Sequence, residues 1–106
     1  MLIDAAPTPV LAPAARVTTV RLGEYYFRSK RVIVRVGGRV RFVNAGRIDH
    51  TVADVDSRGR IRSKVIRPRA LRHGDAQTVT FKRRGSIRYV CTLHPTLMGG
   101  TIVVRG

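Results

Sequence analysis

Beyond Arg16, hydrophobic and polar positions alternate with a period of two. The run Arg-Val-Ile-Val-Arg-Val (31–36) sets Val32, Val34 and Val36 on one face, and Gly-Arg-Val-Arg-Phe-Val-Asn (38–44) alternates Val40 and Phe42 with Arg39 and Arg41. Such alternation marks strands with one buried and one solvated face. Residues 16–22, 50–55, 77–81, 86–91 and 101–104 read as further strands, with turn chemistry at Asp56-Ser57-Arg58-Gly59 and Lys82-Arg83-Arg84-Gly85. Gly37-Gly38 carries a hairpin signal. No stretch has a helical period. Seven or eight short strands at this spacing predict an all-β, antiparallel β-sandwich.

Residues 1–15 break the pattern, with prolines at 7, 9 and 13 and no basic residue. They lack the positive start and unbroken apolar stretch of a secretory signal, and read as an Ala/Pro-rich flexible tether before a domain at 16–106. No apolar run approaches the roughly 20 residues that span a bilayer. All 21 Lys and Arg fall in 16–106 against 6 Asp and Glu in the whole chain, a formal charge of +15. That excess predicts attraction to anionic partners. Arg58, Arg60, Arg62 and Lys64 recur at every second position, so a strand there would carry them on one face, as a solvated edge or a docking surface.

Chemistry concentrates near the carboxyl end, in Cys91-Thr92-Leu93-His94-Pro95-Thr96-Leu97-Met98. With no second cysteine, Cys91 is a core thiol, a reactive thiol or a metal ligand. A thiolate, an imidazole and a thioether lie within eight residues, and a second imidazole, His50, opens another strand segment. Two His and one Cys with a weak axial Met form the ligand set of an electron-transfer copper site. Soft sulfur donors suit Cu(I) and imidazole serves both oxidation states. The third histidine, His73, reads as a surface turn residue. Asn44 and Asp49 are placed to orient the His50 loop through Asx-type bonds. Tyr25, Tyr26 and Phe27 read as core and rim aromatics, and Tyr89 as packing on the face of Cys91.

Together these motifs resemble the blue-copper family, the cupredoxins, over about residues 17–104. Cys91-x-x-His94-x-x-x-Met98 is similar to the copper loop of plastocyanin, pseudoazurin and amicyanin, and Gly100 to Val104 to the family's last strand. Asn44 through Val52 resembles the segment bearing the amino-terminal His ligand, and Phe81 to Cys91 the strand, Gly turn and strand leading to the Cys. Leu71-Arg72-His73-Gly74 stands where many members have Leu-x-Pro-Gly, so His73 replaces a proline. The His94-to-Met98 spacing is intermediate between those of amicyanin and plastocyanin. Thr51 follows His50 where several members have Asn, leaving its backbone N–H to bond the Cys91 sulfur.

The resemblance implies a Greek-key fold, one copper ion held by His50, Cys91, His94 and Met98, and one-electron transfer through His94. The surface around that His would be apolar, from Leu93, Pro95, Thr96 and Leu97. No catalysis is expected in isolation: the four donors leave no open position for substrate, and Val90 and Thr92 flank Cys91 where multicopper oxidases carry His. Expected partners are redox proteins with acidic docking surfaces, met by a monomer. The resemblance also implies export to the periplasm, cell surface or exterior, and the tether suits a membrane-proximal position. Copper storage or delivery is the nearer alternative, though such sites are richer in Met and Cys. An anionic-polymer binder is the more distant one: without Trp and with three Tyr and three Phe, the chain has no dense stacking platform and no specific nucleic-acid motif.

Overall fold

The computed structural model describes residues 16–106, so the tether lies outside the described residues. Eight strands follow in order: β1 (Val17–Gly23), β2 (Tyr26–Arg28), β3 (Arg31–Arg35), β4 (Arg39–Asn44), β5 (Ala53–Val55), β6 (Ala76–Thr80), β7 (Gly85–Val90) and β8 (Gly99–Arg105). There is no helix among the described residues. One sheet has the order β2-β1-β4-β6 and the other β3-β8-β7-β5. The expected all-β sandwich is present, and its sheets are mixed: β1 runs parallel to β4 and β3 parallel to β8, while every other pair is antiparallel.

The alternation predicts the inward set well. Val20, Leu22, Phe27, Val40, Phe42 and Val79 face the core from the first sheet, and Val32, Val34, Tyr89, Ile102 and Val104 from the second. The polar partners of this pattern (Arg31, Arg35, Arg39 and Arg41) are exposed. Phe27, Phe42 and Tyr89 meet edge to face, with centroids 4.8–6.5 Å apart, the geometry that aromatic quadrupoles favour. Tyr89 and Cys91 are both buried. Burial also pushes the Tyr89 hydroxyl up to about 12.

Three sequence expectations are corrected. Gly37-Gly38 makes no hairpin: β3 and β4 belong to different sheets, and the turn, closed by Gly38 N–H to Arg35 O at 2.8 Å, carries the chain across the sandwich. Gly37 has φ +88°, which glycine adopts without the Cβ clash. The basic run 58–64 is a loop that bridges β5 between Val55 and Ile61, with the Arg62 and Ser63 N–H groups donating to Asp54 O at 2.8 and 3.4 Å. Buried Asp54 shapes it, accepting the N–H groups of Val65 and Ile66 on one carboxylate oxygen, both at 2.9 Å. The segment from His50 is strand only over Ala53–Val55. β2, with Phe27 as its one inward side chain, is the strand the periodicity does not reveal.

Because β1 and β4 are parallel with Leu22 opposite Asn44, the turn after β1 and the loop after β4 leave the same end of the sandwich. The link from β7 to β8, where Val90 pairs with Gly99, carries residues 91–98. These three connections meet at the candidate site.

Candidate metal centre

His50 is fully buried and held by backbone bonds in both directions with Leu71, at 3.0 and 2.8 Å. Asn44, also fully buried, organises the loop before it. Its amide donates to Ile48 O at 2.9 Å and Leu71 O at 2.7 Å, and its side-chain oxygen accepts the Gly46 N–H at 2.8 Å, an Asx turn. Asp49 is exposed and makes no such bond among the described residues, so Asn44 alone does the work expected of the pair.

The second loop closes on itself. Cys91 N–H donates to Met98 O at 3.1 Å, while the N–H groups of His94 and Met98 donate to Cys91 O and His94 O. These turns return the chain to β8 and leave Met98 buried, with 1% of its surface exposed. His94 is half-buried, and Leu93, Pro95 and Leu97 around it are exposed.

Folding thus brings residue 50 to residues 91 and 94. The potential ligand atoms of His50, Cys91 and His94 all lie within 4.8 Å of one another. The Cys91 sulfur is 3.9 Å from His50 Nδ1 and 3.7 Å from His94 Nδ1. It also accepts the Thr51 N–H at 3.4 Å, the contact expected from the backbone at that position. Thr51 Oγ1 lies 2.6 Å from Thr92 Oγ1 and accepts the Thr92 N–H at 2.8 Å, tying the two ligand-bearing loops together. His73 stands apart in an exposed turn, its Nδ1 2.8 Å from Gly46 O.

Two contributors were not visible as such in the sequence. Glu24, in the turn between β1 and β2, places Oε2 2.9 Å from His50 Nε2 and accepts the Arg47 N–H on Oε1 at 2.6 Å. The bond from His50 is the main cause holding its carboxyl below the usual carboxylate range, with the Arg47 N–H second. Tyr25 beside it sets its ring 4.8 Å from that of His94 and 6.4 Å from that of His50. Read in sequence as a core or rim aromatic, Tyr25 is a rim residue of the site itself. A carboxylate and an aromatic 26 and 69 residues from their partners carry no spacing signal.

One cysteine sulfur and two imidazoles, buried except for the half-buried His94 and all within 4.8 Å of one another, fit a single copper ion better than a hard cation, which would call for oxygen donors. The family profile described as copper binding proteins, plastocyanin/azurin family, matches residues 14–105. The chain belongs to that family. Among solved structures, it is similar to a purple cupredoxin from Nitrosopumilus maritimus at 19% identity, covering 82% of this chain and 98% of that one, with a TM-score of 0.76. A reduced amicyanin variant matches at 25% identity over 84% of this chain and 82% of its own, TM-score 0.72. A mutant fern plastocyanin matches at 19% identity over 83% and 100%, TM-score 0.71. The chain also aligns with a quarter of a copper-containing nitrite reductase from Thermus scotoductus SA-01, at 25% identity and TM-score 0.72. No curated protein sequence matches it. This cupredoxin is a copper-binding, plastocyanin-like β-protein.

Proposed function

We propose that this cupredoxin is a type 1 (blue) copper protein, a one-electron carrier with His50, Cys91, His94 and Met98 as its ligands. The observation that carries this reading is a cluster of two imidazoles and one cysteine sulfur, with His50 and Cys91 buried and His94 at an exposed apolar rim. Bound copper would supply the Cu(I)/Cu(II) couple. The protein's contribution is rigidity. His50 is locked by Leu71 and Asn44, Cys91 and Met98 close one hydrogen-bonded loop, and Thr51 joins Thr92 across the site. A frame of that kind changes little between oxidation states, which keeps the reorganisation cost of electron transfer low.

Electrons would pass through the outer edge of His94, where Leu93, Pro95, Leu97 and Tyr25 provide an apolar contact that a partner can make and leave. The charge of +15 favours acidic redox partners and steers their encounter. It also disfavours Cu(II) and so should raise the potential. Four protein donors leave no coordination position for substrate, which supports a carrier over an enzyme acting alone. Burial of His50, Cys91 and Met98 argues against ready copper exchange, and so against storage or delivery. We place the protein outside the cytosol, in the periplasm, at the cell surface or beyond, working as a monomer whose tether keeps it near a membrane.

The test is to mix the copper-loaded, reduced protein with an inorganic outer-sphere oxidant, then with a copper chelator. Fast, reversible oxidation with copper retained is expected. Sluggish oxidation with rapid loss of copper would favour delivery instead.

A further inference from the structure

Among the described residues, a single carboxylate reaches a candidate ligand, and this in a chain with only six acidic residues. Resting on the copper reading above, we propose that Glu24 is a positioning residue of the centre: it holds His50 by Nε2, leaves Nδ1 facing Cys91, and makes that imidazole a stronger donor.

Three observations converge. First, the two nitrogens of His50 have different neighbours: Nε2 lies 2.9 Å from a carboxylate oxygen, whereas Nδ1 lies 3.9 Å from a sulfur. A carboxylate only accepts, so Nε2 carries the proton and Nδ1 presents its lone pair to the metal side. Second, the other carboxylate oxygen takes the Arg47 N–H, so Glu24 grips both the ligand and the loop that carries it. Third, a methyl group at Gly46 would overlap the Glu24 carboxylate and also meet the Gly23 Cα at 2.9 Å, so glycine there lets both the carboxylate and the turn that bears it approach the His50 loop. A carboxylate on the far side of a ligating imidazole fixes its orientation and raises its basicity. Stronger donation favours Cu(II), so Glu24 acts locally against the potential-raising effect of the overall charge.

The competing explanation is that Glu24 only staples the 45–49 loop through Arg47. Full-length, copper-loaded wild type is compared with Glu24→Gln, Glu24→Ala and Gly46→Ala by voltammetry, Cu(II) competition against a chelator, thermal unfolding and ¹H–¹⁵N spectra of the Cu(I) form. Glu24→Gln keeps an acceptor but removes the charge; it should raise the midpoint potential with little change in melting temperature. Glu24→Ala should weaken Cu(II) binding about 10- to 100-fold. It should also remove the downfield, slowly exchanging Nε2–H resonance of His50. Gly46→Ala should raise the potential in the same direction by displacing the carboxylate; because its methyl also meets the Gly23 Cα, its melting temperature is read beside its potential. A fall in melting temperature with potential and Cu(II) affinity unchanged would reduce Glu24 to a loop staple and overturn the proposal. So would a proton found on Nδ1 of His50 in wild type. Should wild type give no thiolate-to-copper band, the carrier reading falls, and spectra of the metal-free chain still decide which nitrogen Glu24 holds.

Discussion

The sulfur of Cys91 is the point at which separated parts of the chain converge, and each neighbour has a distinct physical role. Thr51 N–H donates to it, two imidazole nitrogens stand within 4 Å, and Met98, whose carbonyl accepts the Cys91 N–H, is buried. Met98 is the softest of these assignments chemically, because a thioether binds weakly and at long range. Met98→Leu should therefore keep the visible colour of the Cu(II) form and shift the potential upward, as voltammetry can show; no shift would move the axial role elsewhere. At this scale the local motif was legible and its partners were not. Cys91, His94 and Met98 announce themselves by spacing, since one loop carries all three. His50, distant in sequence, was inferable only as the second imidazole that the donor set and the family resemblance call for, and Glu24, a lone acid in a turn, not at all. Side chains meeting across a fold leave no periodic trace in sequence.

At the level of elements, period-two alternation located seven strands because each predicted segment carries at least two buried apolar residues, as 77–81 does with Val79 and Phe81. β2 escaped, having one inward residue in three. Alternation also says nothing about which strand pairs with which, so the parallel neighbours and the crossover at Gly37-Gly38 emerged only from the structure. The basic run shows the converse: its alternation comes from exposed arginines with no apolar face to bury, and it folds as a loop. Its shape comes from Asp54, 1% exposed, whose carboxylate holds Val65 and Ile66 N–H and so places the buried Ile66. Asp54→Ala would leave those donors unpaired and should lower stability by about 1–3 kcal/mol, measured by denaturant unfolding. It should also raise amide exchange at Val65 and Ile66. A change confined to distant strands would contradict this role.

For the molecule as a whole, charge and core set two further expectations. With so large a positive excess, association with an acidic redox partner should slow steeply as salt rises, because screening shortens the reach of the attraction. Stopped-flow rates independent of ionic strength would speak against electrostatic steering. In the core, Tyr89 keeps its proton to about 12 when folded, against an ordinary value of 10. Between those values the folded state holds the extra proton, so stability is intact below pH 10 and falls as pH climbs toward 12. The loss attributable to this group is on the order of 2 kcal/mol. Tyr89→Phe should remove that part of the alkaline decline, as seen in denaturant midpoints across the range. Central to everything is one ion gripped jointly by His50, Cys91 and His94. The most direct measurement is titration of the metal-free protein with Cu(II), followed by visible absorption, for wild type and Cys91→Ser. An intense thiolate-to-copper band saturating at one equivalent and absent from Cys91→Ser is the predicted result. A colourless wild type, or a band that survives loss of the sulfur, would contradict it.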